Sequence, residues 1–291
     1  MKYLVTGGSG FLGSNLCRIL LEKGNKVFAL DSLITGSKEN IKNLWKDYPD
    51  NFAFINGWSD EIPYSIKFDG IFHLASPAAP VDINAYPEIT FRSNSRDTEK
   101  LLEWTKEQGM KFLFVSTMKI HGNCERVDSY IRGKREGEIA CFGNGAKVAR
   151  LASVFGPNMS VNDSRVIPVF ITRALRNEPL SVWNGGSQVD SFCYVDDIVD
   201  ALIRFMESDH SGVIELGSPE GISIMDLAKI ILRITESKSE IYTYETITVI
   251  NECHRIPDLK EAQNKLDWKP TVDLYSGLQK TVEYFRHEMS H

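Results

Sequence analysis

Thr6-Gly7-Gly8-Ser9-Gly10-Phe11-Leu12-Gly13 lies between a short apolar run and an amphipathic one. Tyr3-Leu4-Val5 before it reads as a strand. From Phe11 to Lys23 the apolar residues Leu12, Leu16, Ile19 and Leu20 recur at helical spacing, and Gly24-Asn25 supplies a stop. A glycine turn between a strand and an opening helix suits a pyrophosphate. Gly7 permits the tight turn, Gly10 the approach of backbone to ligand, and Gly13 the close packing of helix on strand. The first helical turn, at Phe11 and Leu12, offers unpaired N–H groups and the positive end of the helix dipole. A second strand, Lys26–Leu30, ends at Asp31-Ser32. A carboxylate there accepts hydrogen bonds from a ribose 2′-OH and repels a 2′-phosphate, so the expected cofactor is NAD, held by Gly7, Gly10, Phe11, Leu12, Gly13, Asp31 and Ser32.

Further along, Phe52–Ile55, Gly70–Leu74, Phe112–Val115 and Lys147–Leu151 read as strands. Helical patterns over about Ile89–Gln108 and Tyr130–Phe142 separate the later ones. Apolar strands alternating with amphipathic helices predict an α/β fold, a doubly wound Rossmann-type parallel sheet covered on both faces. After Gly156-Pro157 the rhythm changes. Helices are expected at Val166–Asn177, Asp196–Met206, Ile224–Thr235 and Leu274–His287, with a short strand at Leu180–Trp183 before the Asn184-Gly185-Gly186 turn. The expected organisation is a dinucleotide-binding domain over 1–156 and a smaller, loop-rich substrate-binding α/β region over 157–291, part of which returns to the first core.

With 291 residues, 42% hydrophobic and 25% charged, the chain has the composition of a folded globular protein. A formal charge of −6 argues against general nucleic-acid binding, which needs a basic surface. No apolar run is long enough to span a bilayer, and the start lacks a signal peptide's apolar core, so a cytoplasmic location is expected. The 5 cysteines are scattered without a CxxC pair and the 6 histidines form no HxxxH or HExxH pattern, so neither a disulfide framework nor a metal is expected.

Tyr130 and Lys134 stand four apart, on one face of a helix. An ammonium beside a phenol stabilises the phenolate and lowers the tyrosine's pKa. Such a tyrosine can take a proton from a sugar hydroxyl while hydride passes to NAD, and the lysine can hold the nicotinamide ribose. Ser116 and Thr117 end a strand, where a hydroxyl could bond the same oxygen. His73, at another strand end, reads as a packing residue. So do Trp183 and Phe192, in preference to a platform for stacking a base.

Together these stretches resemble the extended short-chain dehydrogenase/reductase family, the NAD-dependent nucleotide-sugar epimerases and dehydratases. The resemblance covers nearly the whole chain: the 6–13 turn, His73-Leu74-Ala75-Ser76, Asn94, Tyr130/Lys134, Gly156-Pro157, and Arg255-Ile256-Pro257-Asp258. Within the family the chain looks most like the UDP-glucuronate decarboxylases, through Ala75-Ser76-Pro77-Ala78-Ala79-Pro80, the 159–166 segment, and Glu178–Val182 with Gly186-Ser187-Gln188. The resemblance implies that Leu74, Ala75, Ser76, Ser116, Tyr130 and Lys134 touch the cofactor. It implies that Thr117 joins Tyr130 and Lys134 in catalysis, and that Pro77, Ala78, Asn162, Arg165, Gln188 and Arg255 face a nucleotide-diphosphate sugar. It also implies a homodimer formed through the helices near 90–108 and 130–142.

Four departures stand out. Thr117-Met118-Lys119 replaces the Thr-Ser-Glu of the decarboxylases, removing the carboxylate that would act beyond C4. His121-Gly122 stands where the family has Tyr-Gly, with a shortened segment before Tyr130. Asp190 replaces an arginine facing diphosphate, and Trp58 an aspartate near adenine. The expectation is therefore a 4-epimerase or 4-dehydrogenase. A decarboxylase is the alternative, because a 4-keto group makes the C5 carboxylate a β-keto acid. A non-catalytic, NAD-bound scaffold or sensor is a reading of a different class.

Overall fold

The computed structural model describes residues 1–290 except 60, 63–64, 122–127 and 246–255. Arg255, Cys124 and Cys253 thus lie outside the described residues. The first half alternates as the apolar pattern dictates: β1 (Lys2–Thr6), α1 (Phe11–Glu22), β2 (Lys26–Asp31), α2 (Lys42–Asp47), β3 (Phe52–Asn56) and β4 (Gly70–His73). Then come α3 (Pro80–Ala85), α4 (Pro87–Asn94), α5 (Arg96–Gln108), β5 (Lys111–Thr117), α6 (Ser129–Cys141) and β6 (Lys147–Leu151). Helix α6 begins where Asp128 accepts the Ile131 N–H at 2.9 Å, an N-cap that satisfies one of the helix's orphan donors.

One helix was expected over 89–108; the chain makes two, broken at Ser95 (φ −112°, ψ −87°). The cause is local. Asn94 donates to the Thr90 carbonyl at 2.7 Å and Ser95 to the Phe91 carbonyl at 2.7 Å. Short polar side chains that bond back to i−4 carbonyls compete with the helical ladder and bend it.

The second half contains β7 (Ser153–Phe155), α7 (Val166–Leu175), β8 (Leu180–Trp183), β9 (Val189–Tyr194), α8 (Val195–Glu207), β10 (Gly212–Leu216), β11 (Gly221–Ser223), α9 (Ile224–Thr235), β12 (Ile241–Tyr244), α10 (Lys260–Leu266) and α11 (Leu274–Glu288). It is richer in regular structure than the sequence suggested. Strand β7 and the strands from β9 onward are not legible in the sequence because three to six residues carry too little pattern.

The main sheet has seven parallel strands in the order β10-β6-β5-β4-β1-β2-β3. Strand β10 comes from the second half of the sequence and completes the edge beside β6. Strand order reverses between β1 and β4, and in open parallel sheets the crevice at the carboxyl ends of such strands is where ligands bind. Helix α8 packs on α1, and Arg18 joins the two by a 2.9 Å pair with Asp196. One continuous core runs from Val5 and Leu16 through Phe155 and Phe205 to Phe285. No helix among the described residues is long and apolar enough to cross a membrane.

Candidate active site

A cleft of about 1070 Å³ lies over the carboxyl ends of β1, β2, β4, β5 and β6 and reaches the second half of the chain. That lies at the upper end of the size of ligand sites, as a long ligand such as a dinucleotide requires. At its floor, Gly7 has φ +71°, and a Cβ there would sit 2.9 Å from the Ala75 nitrogen. At Gly13 a Cβ would come within 2.0 Å of the Gly7 carbonyl oxygen. The turn is held by Gly7 N–H donating to Leu30 O at 2.8 Å and Gly10 N–H to Gly7 O at 3.1 Å. The first N–H groups of α1, at Phe11, Leu12 and Gly13, have no residue behind them in the helix to accept their bonds, and all three residues line the cleft. This is a cradle for phosphate.

Asp31, 8% exposed, accepts backbone bonds from Ser9 N–H to Oδ2 at 2.9 Å and Leu33 N–H to Oδ1 at 2.8 Å. Burial raises its pKa and these bonds oppose the rise. Its lone pairs and those bonds place a carboxylate beside Ser32, on the cleft wall, where a ribose diol would lie. Trp58 lines the same end, with the Arg92 guanidinium 4.8 Å from its ring centre. The residues present therefore fit a dinucleotide.

Beyond them the cleft is walled by Leu74, Ala75, Ser76, Pro77 and Ala78. Ser76 Oγ accepts from Asn94 Nδ2 at 2.7 Å, while Asn94 Oδ1 is buried without a hydrogen-bond partner among the described residues. His73 is 1% exposed, contacting Thr6 Oγ1 at 2.7 Å and the Ser93 carbonyl at 2.9 Å. Burial, aided by Lys134, pushes its pKa down to about 3. It is a neutral packing residue, as its strand position suggested.

Thr117, Tyr130 and Lys134 meet in the cleft. The Thr117 hydroxyl bonds the Tyr130 phenol oxygen, and Lys134, 3% exposed, donates to the Val115 carbonyl at 2.5 Å. The ammonium lies 5.6 Å from the Tyr130 ring centre and 4.6 Å from that of Phe114. The electrostatics differ from the sequence expectation. Burial pushes the Tyr130 hydroxyl up to about 12, and the groups pulling it back are Thr117 and Arg165. Lys134 is itself pushed down to about 7 by burial, against the opposing charge of Glu138.

Ser116 also differs. It lines the cleft, but its hydroxyl is engaged, donating to Glu138 Oε1 at 2.5 Å. His121 does not line the cleft; its Nε2 meets Glu215 Oε1 at 2.7 Å.

On the second half, Asn162, Arg165, Gln188, Asp190 and Trp183 line the cleft. The Arg165 fork is engaged by Asp163 through contacts of 2.5–3.0 Å. Asp190 is 6% exposed and accepts the Ser191 N–H at 3.2 Å, so it is drawn into the wall. Trp183, expected to pack inside, is 55% exposed, its ring 5.3 Å from that of Tyr244 on β12. An exposed aromatic pair at the cleft's edge can stack a flat base. The alternation of Leu180-Ser181-Val182-Trp183, in which Leu180 and Val182 are buried, was the signal that could have placed Trp183 outward. Among the described residues no group of His, Cys, Asp and Glu could hold a metal ion.

Comparison with known proteins agrees with this geometry. The sequence model of the NAD dependent epimerase/dehydratase family matches residues 3–217. The UDP-glucuronic acid decarboxylase 1 of Xenopus tropicalis is 36% identical over 312 residues, covering 100% of this chain and 73% of the relative. The UDP-glucuronic acid decarboxylase 3 of Arabidopsis thaliana is 36% identical over 98% of this chain and 89% of its own length. Among solved structures, the UDP-glucose 4-epimerase of Thermotoga maritima with UDP-glucose superimposes with a TM-score of 0.88 at 29% identity, covering 99% of this chain and 100% of that one. The UDP-glucuronic acid 4-epimerase of Bacillus cereus, in complex with UDP-glucuronic acid and NAD, gives 0.88 at 25% identity, with 99% and 100% covered. A glycine cradle, an acidic residue at the end of β2 and a Thr-Tyr-Lys cluster at the strand ends thus coincide with a match over most of the sequence: the chain is an enzyme of the NAD-dependent epimerase/dehydratase family.

Proposed function

We propose that this enzyme oxidises a hydroxyl carbon, C4, of a nucleotide-diphosphate sugar, as a 4-epimerase or 4-dehydrogenase. The observation that carries this reading is the convergence of Thr117, Tyr130 and Lys134 on the cleft beside the dinucleotide cradle, with the Lys134 ammonium 5.6 Å from the Tyr130 ring centre. Residues 1–156 hold NAD and 157–291 hold the nucleotide sugar, with β10 returned to the first unit's sheet. Bound NAD supplies the hydride acceptor and donor. Tyr130 Oη takes the proton of the sugar 4-hydroxyl as the C4–H bond breaks, leaving a ketone, and returns it when that carbon is reduced. Thr117 holds the same oxygen in line, Thr117 and Arg165 favour the deprotonated phenol against burial, and the Lys134 ammonium holds the nicotinamide ribose. Trp183 and Tyr244 offer the base a stacking face, and Asn162, Gln188 and Arg165 line the path of the diphosphate and sugar.

The decarboxylase relatives supply a second reading. A 4-ketone beside a C5 carboxylate loses CO₂ without further catalysis, so such an enzyme needs only the same three residues. The position that carries their glutamate holds Lys119, which lines the cleft two residues after Thr117. An ammonium there stabilises a sugar carboxylate in its ground state more than in the transition state for its loss, where the charge moves toward O4. UDP-glucuronate is therefore expected to be epimerised or oxidised with its carbon count intact. Product mass and CO₂ release decide the matter: a pentose with stoichiometric CO₂ establishes the decarboxylase. NAD bound with UDP-, dTDP-, GDP- and CDP-sugars all inert transfers the case to a non-catalytic sensor.

The working unit is a homodimer built on α4, α5 and α6. Ile139 and Phe142 at the end of α6 are 63% and 50% exposed, the kind of apolar surface a partner covers. Light scattering should give twice the chain mass; a monomer at micromolar concentration rules the dimer out.

A further inference from the structure

Three consecutive residues of β5 are met by one face of α6. Thr117 bonds Tyr130, the Val115 carbonyl accepts from Lys134, and between them Ser116 donates to Glu138 Oε1 at 2.5 Å. Tyr130, Lys134 and Glu138 are spaced four apart along the helix, so the third belongs to the same row as the first two. Glu138 is 3% exposed. Arg150 on β6 closes over it, with Nε at 2.9 and 3.2 Å from its two oxygens and Nη2 at 2.5 Å. Arg150 Nη1 in turn lies 3.2 Å from His121 Nε2. His121 meets Glu215 on β10, whose other oxygen accepts the Asp258 N–H at 2.9 Å. A polar chain thus runs from the reacting strand end across three strands, and the chemistry described above uses none of it.

We propose that Glu138, one helical turn from Lys134 and buried beside it against β5, is a positioning residue that acts through Lys134 by keeping its ammonium charged, and that Arg150, by sharing the same carboxylate, sets the strength of that effect. The proposal rests on the reading of Tyr130 and Lys134 as the redox pair. A buried ammonium needs an anion, and an anion already paired with a guanidinium is a weaker one. Glu138 is the foremost group opposing the loss of charge that burial imposes on Lys134, and the same carboxylate raises the pKa of Arg150. The other groups around Lys134 do not substitute for it. Burial pushes Cys141 on α6 up to about 12 and His73 on β4 down to about 3, so both are uncharged near neutrality. Tyr130 is pushed up to about 12, and on α4 and α5 Arg92 and Asp97 face each other at 3.6 Å. The turn after β5 adds the cation Lys119 and the His121 imidazole, and β6 adds Lys147, whose ammonium donates to the Ser208 carbonyl at 3.0 Å.

The two members of the pair should act in opposite directions. Glu138→Gln removes the stabilising charge, so the ammonium is lost at lower pH. Arg150→Met releases the carboxylate to Lys134 alone, so the ammonium persists to higher pH. The full chain labelled with ¹³C at lysine Cε reads this directly by NMR titration, the Lys134 signal being the one absent from Lys134→Arg. We expect the midpoint to fall by about one pH unit in Glu138→Gln and to rise by a similar amount in Arg150→Met. The alkaline limb of the kcat profile should follow each shift. A purely structural role lowers the melting temperature of both variants without moving the midpoints apart, and that result overturns the proposal. If Glu138→Gln does not fold, the direction of the shift in Arg150→Met decides alone. Opposite midpoint shifts in a protein that turns over no nucleotide sugar would keep the network and sink the redox reading instead.

Discussion

Phenylalanine at position 130 is expected to lower kcat about a thousandfold while leaving NAD bound and the fold intact. The exchange keeps the ring and its packing and removes one oxygen, the atom that bonds Thr117. Positioned proton transfer contributes roughly 10²–10⁴ to an enzymatic rate, and neither neighbouring His73 nor Lys134 can replace it. His73 is sealed against Thr6 and Ser93, and Lys134 is occupied by the Val115 carbonyl. Because burial pushes the Tyr130 hydroxyl up to about 12 and Lys134 down to about 7, the wild-type rate in the oxidative direction should rise with pH on the acid side and fall once the Lys134 ammonium is lost. Thr117→Ala should lose less, since the hydroxyl it removes orients the sugar oxygen and carries no proton away. Steady-state turnover of UDP-glucose and UDP-glucuronate, with NAD content measured after denaturation, tests both. Retention of more than a tenth of the rate in Tyr130→Phe would show that another group moves the proton.

The parts of this site that could be read from the sequence share a physical property: their geometry is set by backbone. Gly7 and Gly13 occur where only a missing Cβ lets a strand, a turn and a helix approach, and the alternation of apolar runs then dictates the parallel sheet around them. Asp31 follows from its place at the end of β2. The four-residue spacing of Tyr130 and Lys134 put both on one helix face, and the structure places both in the cleft.

What could not be read depends on where flexible or polar side chains turn. Ser116 and Thr117 are adjacent hydroxyls of equal promise in sequence, but they meet different turns of α6, one at Glu138 and the other at Tyr130. The i,i+4 spacing does not aim a lysine at its neighbour's oxygen. The Lys134 ammonium bonds a carbonyl of β5, and the lowering of the tyrosine's pKa anticipated from spacing alone is outweighed by burial. Arg150, Glu138, His121 and Glu215 come from elements 12 to 94 residues apart, and only the sheet order β10-β6-β5 brings them into line. Arg255, expected at the nucleotide from resemblance, lies outside the described residues.

Alanine at position 13 should remove NAD binding more completely than any change to a ligand-facing side chain. Its Cβ would stand 2.0 Å from the Gly7 oxygen, 2.8 Å from the Gly7 carbonyl carbon and 2.9 Å from Gly8 Cα. All three are backbone atoms, so no rotamer change relieves the clash. The Gly7 oxygen cannot retreat without loss, because it accepts the Gly10 N–H at 3.1 Å while the Gly7 N–H is tied to Leu30 O at 2.8 Å. The strain must open the turn or lift the start of α1. Either motion moves the N–H groups of Phe11 and Leu12 away from the phosphates. Overpacking of this kind costs about 3 kcal/mol at the upper end, equivalent to roughly a hundredfold in affinity when the distortion falls on the binding turn. Calorimetric titration of NAD into nucleotide-free protein measures it, with a melting curve to show that the variant folds. A folded Gly13→Ala that binds NAD as tightly as wild type would mean that the pyrophosphate does not lie on this turn. The cofactor would then have to be held from the Asp31 end alone, without the phosphate anchor that the proximity of Gly7 and Gly13 otherwise explains.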